Sequence, residues 1–181
     1  MLSLGVLMAV LFGPAFVTGD ELPFVIEDEF RAVTCGAAIK LAHHDSGFRL
    51  HSHAIKYGSG SGQQSITAFT EGDDSNSYFK VLGPFGKEDC MRGEPVACGA
   101  TLRLFHVNTQ KYLHSHSGHA SPLSGSQEVS AYEKTDAGDN WKVECVRSGD
   151  KHWARERPVR LREYFLSRCP VDSAHQKEFQ H

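Results

Sequence analysis

At 181 residues the chain has room for one domain plus a processing segment, and its 40% apolar content suffices for a real core. A formal charge of −3, with no Lys/Arg block, excludes the basic stripe that a nucleic-acid partner requires and the electrostatic docking that anionic lipid requires. Eleven histidines, several of them clustered, are the one unusual feature of the composition.

The first 17 residues carry no charged side chain, and Leu2, Leu4, Val6, Leu7, Met8, Val10, Leu11 and Phe12 make an apolar run of signal-peptide length. Val17 and Gly19 place small residues just ahead of a cut before Asp20, so residues 1–19 are expected to be a signal peptide, although a basic n-region is missing. Gly13-Pro14 interrupts the run short of the roughly 20 residues a membrane span needs. The mature chain is therefore expected in the endoplasmic-reticulum lumen or further along the secretory pathway, with no membrane span after cleavage.

The next signal is internal repetition. Val33-Thr34-Cys35-Gly36 returns as Val96-Ala97-Cys98-Gly99, and the two cysteines fix the offset at 63 residues (98 − 35). The same offset carries Leu50-His51-Ser52-His53 onto Leu113-His114-Ser115-His116, and Ser61-Gly62-Gln63-Gln64 onto Ser124-Gly125-Ser126-Gln127. Within each unit Ile39 and Leu41 flank Lys40, and Leu102 and Leu104 flank Arg103, the alternation of a half-buried strand. Turn formers follow at Asp45-Ser46-Gly47 and Asn108-Thr109-Gln110. The chain then returns through Phe48-Arg49-Leu50-His51 or Lys111-Tyr112-Leu113-His114, passes a Gly/Ser loop and a third short strand, and closes on a strand at the aromatic Phe79 or Trp141.

Four strands per unit with no helix pattern predict an all-β fold, a β-trefoil whose repeats span about 27–84, about 90–147, and a third from about 153. In the third unit Val159-Arg160-Leu161 matches Leu102-Arg103-Leu104, and Tyr164-Phe165-Leu166-Ser167 resembles the returning strand. Gln176-Lys177-Glu178-Phe179 echoes Gln127-Glu128-Val129, so the chain is expected to stop before any aromatic closing strand. The third lobe is thus read as partial, with residues 162–181 a divergent, truncated tail. Unpaired strand edges, an exposed core and a tendency to aggregate are the expected consequences.

Five cysteines without a CxxC spacing argue against a zinc ribbon or a thioredoxin-like redox site. In an oxidising compartment most would pair, leaving at least one over. The favoured pair is Cys90 with Cys145, since both follow a closing strand, although spacing leaves the connectivity open. His51/His53 and His114/His116 stand at i, i+2, on one face of a strand. Such pairs suit a metal, but their recurrence in different lobes favours an architectural role around an ordered serine, so neither metal nor cofactor is expected. The loops at 58–62 and 121–125 lack a following GKS/T and a helix, which rules out a P-loop. Asp73-Asp74 and Asp28-Glu29 read as solvated loop acids rather than a glycosidase pair, and no Ser/His/Asp or Cys/His constellation is apparent. No enzyme is expected.

Val33-Thr34-Cys35-Gly36, Arg49-Leu50-His51-Ser52-His53, Tyr57-Gly58-Ser59-Gly60-Ser61-Gly62-Gln63-Gln64-Ser65 and Asp73-Asp74-Ser75-Asn76-Ser77-Tyr78 resemble the first MIR repeat of the stromal cell-derived factor 2 family. His106-Val107-Asn108-Thr109, Leu113-His114-Ser115-His116 and Ser121-Pro122-Leu123-Ser124-Gly125 resemble its second repeat, so that the likeness covers residues 24–161. The resemblance implies a lumenal β-trefoil without enzyme activity, partnered with the lumenal Hsp70 and its J-domain co-chaperone and with unfolded clients. The last residues, Phe179-Gln180-His181, are not a KDEL-type retrieval signal, which leaves secretion open. The alternative is a lectin-like module for O-mannosylated or otherwise glycosylated clients. Tyr57 and Tyr112, with His51, His53, His114 and His116, are the candidate binding residues; a sugar site would require an aromatic ring and two of these histidines in one exposed pocket.

Overall fold

The structure, a computed structural model, describes residues 31–70, 72–115, 117–122, 124–163 and 178–180. The expected signal peptide, His116, Cys169 and most of the tail lie outside these described residues. Eleven strands follow in chain order: β1 (Ala38–Ile39), β2 (Ala42–His43), β3 (Arg49–Lys56), β4 (Gln64–Phe69), β5 (Phe79–Leu82), β6 (Thr101–His106), β7 (Lys111–His114), β8 (Ser130–Tyr132), β9 (Trp141–Cys145), β10 (Val159–Glu163) and β11 (Glu178–Gln180).

The pairings form a closed circuit. β1 pairs with β5, β5 with β6, β6 with β9, β9 with β10, β10 with β11, and β11 with β2, which continues β1 after a two-residue interruption. That circuit is a six-stranded barrel, and the hairpins β3–β4 and β7–β8, joined edge to edge through β4 and β8, cap it. Alternation along each barrel strand sends one face inward. Ile39, Leu41, Phe79, Val81, Leu102, Leu104, Trp141, Val143 and Val159 fill the interior, while Lys40 and Arg103 point out.

The register is threefold. Ile39 faces Phe79, Leu102 faces Trp141, and Val159 faces Phe179. Onward pairings repeat as well: Phe79 with His106, Trp141 with Glu163, and Phe179 with His43. The third lobe therefore has its closing strand, which corrects the expectation that the chain stops short of one. β11 occupies the backbone place of β5 and β9, hydrogen-bonded on both sides, so the barrel has no open edge there. The lobe is nonetheless partial. Val159 and Phe179 are 20 positions apart (179 − 159), half the separation of Ile39 and Phe79 in lobe one. The sequence hid this strand because three residues are too few to show a period.

The segments that open the three repeats meet around the pseudo-threefold axis. Val33 N–H donates to the Trp153 carbonyl (2.7 Å), Trp153 N–H to Val96 (2.8 Å), and Val96 N–H to Val33 (2.8 Å), closing a ring with all three side chains buried. Each segment then makes the same tight turn. Ala37, Ala100 and Arg157 donate back to Thr34, Ala97 and Ala154, all at 3.1 Å. The turn needs a left-handed residue, which is Gly36 (φ 79°) in lobe one, Gly99 (φ 86°) in lobe two, and Glu156 (φ 59°) in lobe three.

The same turns explain the disulfides. Gly36 N–H donates to the Val81 carbonyl and Gly99 N–H to that of Val143, docking each turn on the closing strand of its own lobe. The bonds are accordingly Cys35–Cys90 (Cα–Cα 6.0 Å) and Cys98–Cys145 (Cα–Cα 5.5 Å), each within one lobe. The expected Cys90–Cys145 pair is corrected: Cys90 follows β5 and Cys145 ends β9, the closing strands of lobes one and two, and each is bonded to the cysteine whose turn docks on that strand. Closing loops of 55 and 47 residues, each bond is worth about 4 kcal/mol in the chain-entropy account.

A left-handed residue with a Cβ costs ~1–2 kcal/mol, partly offset by the extra freedom glycine gains on unfolding. Glu156→Gly is expected to raise the unfolding free energy by ~0.5–1 kcal/mol, read as a higher urea midpoint at unchanged slope; a lower midpoint would contradict the turn assignment.

Candidate functional site: the hairpin caps of lobes one and two

In β3 the His-Ser-His string places Ser52 inward. Ser52 Oγ donates to the Ser65 carbonyl (2.8 Å) and accepts from Gln64 Nε2 (2.7 Å). In lobe two Ser115 Oγ donates to the Glu128 carbonyl (2.8 Å) and accepts from Gln127 Nε2 (2.9 Å). Both serines are buried and have partners on both sides, so they tie the two arms of their hairpins together.

The flanking histidines serve the same caps. His51 is buried, stacks on Phe69 with centroids 4.9 Å apart, meets Thr67 Oγ1 at 3.1 Å through Nδ1, and faces Asp74 at 3.5 Å through Nε2. His114 is buried beside Tyr132 at 5.2 Å, and its Nδ1 lies 2.8 Å from Asp139 Oδ1. His53 lies 5.1 Å from the His51 ring. The acids are structural. Asp74 caps the Asn76 N–H (2.5 Å), and Asp136 caps that of Gly138 (2.7 Å) while exchanging a capping-box contact with Asp139. The reading of Asp73-Asp74 as a solvated acid pair is thus corrected for Asp74. Its carboxyl is held below the usual range, chiefly by the Asn76 N–H and, through charge, by His51.

His114, Asp136 and Asp139 offer three donor atoms within 4.8 Å of one another. All three are committed: the Nδ1–H donates to Asp139, and the two carboxylates hold the capping N–H groups.

The two tyrosines proposed as a sugar platform are engaged differently. The Tyr57 hydroxyl stands 3.0 Å from the carbonyls of Ile66 in lobe one and Val129 in lobe two, and it accepts the Ile66 N–H at 3.2 Å. Burial pushes this phenol above its ordinary pKa, and the nearby Glu128 carboxylate adds to that shift. Tyr112 lies edge-on to Phe105 at 5.1 Å and carries the Arg103 guanidinium over its ring at 5.3 Å.

A narrow cleft opens where the lobe-one loop meets β8, lined by Ser61, Gln63, His114, Ser115, His119, Glu128 and Ser130. Among the described residues, His114 is the one candidate in its lining, and neither Tyr57 nor Tyr112 lines it, so the convergence that a sugar site requires is not found there. The buried Glu128 carboxylate accepts from the hydroxyl and the N–H of Ser61, and Gly60 leaves room for it.

His106 completes the network. Its Nδ1 accepts the Thr109 N–H (3.3 Å), which assigns the proton to Nε2, donated to the Asn76 carbonyl at 2.8 Å. Thr109 Oγ1, 2.7 Å from that Nδ1, also accepts from Gln64 and so binds the lobe-one cap to the lobe-two barrel. Asp74, Asp139, Gln64, Gln127 and Glu128 were missed as participants. The two glutamines were visible in the repeat register, and Glu128 directly follows one of them; Asp74 and Asp139 lie further on, where the offset falls from 63 to 62 at Phe79 and Trp141 (141 − 79).

A closed barrel capped by repeat-equivalent Ser-centred hairpins defines a β-trefoil of the MIR kind, and the MIR domain family model matches residues 49–165. The chain belongs to the stromal cell-derived factor 2 family. It is 48% identical over 161 residues to human stromal cell-derived factor 2-like protein 1, a match spanning 87% of this chain and 67% of that protein. The chain spans about two thirds or less of the length of the mammalian like-1 relatives. The crystal structure of the SDF2-like protein from Arabidopsis thaliana superposes with a TM-score of 0.70 at 42% identity, covering 82% of this chain and 86% of that one. The S. cerevisiae protein O-mannosyltransferase Pmt1–Pmt2 complex, bound to the sugar donor, contains a similar domain. Its TM-score is 0.65 at 28% identity, over 82% of this chain and 23% of that one. Among the described residues no helix is long and apolar enough to cross a membrane.

Removing the Tyr57 hydroxyl strips a junction between lobes, so Tyr57→Phe is expected to cost ~1–2 kcal/mol in urea unfolding; no loss would mean the contact carries nothing. Burial lowers the His106 pKa, opposed by the Asn76 carbonyl. As pH falls below about 6.5 the unfolded chain takes up this proton before the folded one, so stability declines there. His106→Gln, which retains a donor towards Asn76, is expected to flatten the dependence of the urea midpoint between about pH 7.5 and 5. Asp74 acts in another window: its contribution is present above the ordinary carboxyl pKa near 4 and is lost below it.

Proposed function

We propose that this chain is a non-enzymatic adaptor of the endoplasmic-reticulum chaperone machinery, working beside the lumenal Hsp70 and its J-domain co-chaperone and engaging unfolded clients. Membership of the stromal cell-derived factor 2 family carries this reading. The chemistry of the caps agrees with it: the histidines, acids and serines that could have formed a catalytic group are bound to one another as scaffold. Phe48, Ile55, Tyr78, Phe85, Met91 and Val107 stand exposed. An apolar, charge-poor N-terminal run supports lumenal targeting.

The second reading is recognition of O-mannosylated clients, and its support is the related domain within the yeast O-mannosyltransferase complex. A pull-down from lumenal extract separates the two, using the tagged chain after circular dichroism has verified its fold. Recovery of the Hsp70 and the J-domain protein is the expected outcome. Recovery of glycoproteins alone, displaced by free mannose, would replace the adaptor with the lectin, and capture of neither would remove both.

A further inference from the structure

The two disulfides occupy similar places in their lobes but unlike surroundings. Cys145 belongs to β9 and is held in the barrel ladder opposite Val159. Cys90 lies outside any strand, in the long connection between β5 and β6, and its sulfur borders a cleft of about 280 Å³. Cys35, Gly36, Lys80, Leu82, Asp89 and Arg92 complete that cleft. Cys35 is buried and Cys90 partly exposed, which makes Cys90 the more accessible member of that bond; Cys98 and Cys145 are partly exposed as well, so the cleft sets the lobe-one bond apart.

The cleft also has a charge preference. Lys80 and Arg92 are exposed, and the Arg92 stem lies over Gly36, with its Cγ 3.1 Å from where a Cβ would stand, next to Cys35. Among the described residues that line the cleft, Asp89 is the one acid. It spends Oδ1 on the N–H groups of Gly83 (2.6 Å) and Cys90 (3.1 Å), pinning the loop. The lining thus carries two positive charges against one negative, and the Asp89 carboxylate, hydrogen-bonded to the backbone, lies within 4.8 Å of both sulfurs. The net positive lining favours the approach of an anionic thiol.

We propose that Cys90 is a site of mixed-disulfide formation with anionic low-molecular-weight thiols, a modification site within lobe one that Cys98–Cys145 does not share. The incoming thiolate attacks Cys90 Sγ, a new sulfur–sulfur bond forms, the Cys35–Cys90 bond breaks, and its electron pair leaves on Cys35, which then takes a proton from water. One disulfide replaces another, with no further oxidant or reductant. A thiol of about tripeptide size fits the volume, and the reaction reverses when Cys35 attacks the mixed disulfide. This inference stands apart from the adaptor reading.

Reduced glutathione is the probe. The oxidised chain is held under native conditions at pH 7.5, quenched with an alkylating agent at intervals, and mapped by peptide mass spectrometry. The expected result is a glutathione adduct on Cys90 with Cys35 alkylated, while Cys98–Cys145 stays intact. Lys80→Gln with Arg92→Gln should slow that reaction by about threefold or more, leaving reaction with cysteamine, whose attacking form (thiolate plus ammonium) has no net charge, within about twofold. Should the double variant fail to fold, raising salt from 0.05 to 0.5 M on the unaltered chain tests the same electrostatics, since only the anionic thiol should slow. Adducts appearing on Cys98 or Cys145 as fast as on Cys90, no adduct at all, or equal salt sensitivity for both thiols would each overturn the proposal.

Discussion

Three backbone hydrogen bonds join the openings of the repeats, from Val33 to Trp153, Trp153 to Val96 and Val96 to Val33, and the remaining architecture hangs from that ring. The ring brings three sequence-distant segments to one axis and buries their polar groups where only such pairing can satisfy them. From each corner the chain makes the same turn and enters a barrel strand whose aromatic partner returns from the far end of the lobe. No single lobe could bury its apolar face alone, so the ring, the barrel and the core stand or fall together.

The caps translate that symmetry into side-chain chemistry. Ser52 and Ser115 hold their hairpins in the same way, and His51 on Phe69 is echoed by His114 beside Tyr132. The lobes then diverge: His51 turns Nδ1 to Thr67 and Nε2 to Asp74, while His114 turns Nδ1 to the buried Asp139. Residues that resemble a metal or catalytic cluster in the sequence are consumed as scaffold, because a buried imidazole or carboxylate must find a partner. What is left to function is the surface: exposed apolar side chains and the cleft beside Cys35–Cys90.

The third lobe shows how a trefoil tolerates loss. A three-residue strand closes the barrel although the lobe has half the usual separation between its first and closing strands, because the circuit depends on backbone pairing rather than on a full hairpin cap. Glu156 in a left-handed turn, where the other lobes use glycine, marks where this lobe has drifted from the repeat while its backbone still conforms.

The repeat offset, the alternation of Ile39, Lys40 and Leu41, and the turn formers were enough to determine an all-β trefoil, since those signals are local or periodic; the family was legible only as a resemblance, through strings such as Arg49-Leu50-His51-Ser52-His53. The offset also marked Gln64 and Gln127 as equivalent. Connectivity between distant segments was decided only by the tertiary structure. Cys90 follows its closing strand and Cys145 ends its own, and each pairs with the cysteine whose turn docks on that strand, because the Gly36 and Gly99 amides hold those turns on Val81 and Val143. Phe179 as a closing residue was likewise invisible, as a strand of three residues has no period and takes its identity from β10 and β2 on either side. Asp74 reads as a solvated loop acid, and nothing in the sequence singles out Asp139 or Glu128, until folding places them against His51, His114 and Ser61. Burial and partnership are properties of the assembled barrel, and no local pattern of residues encodes them.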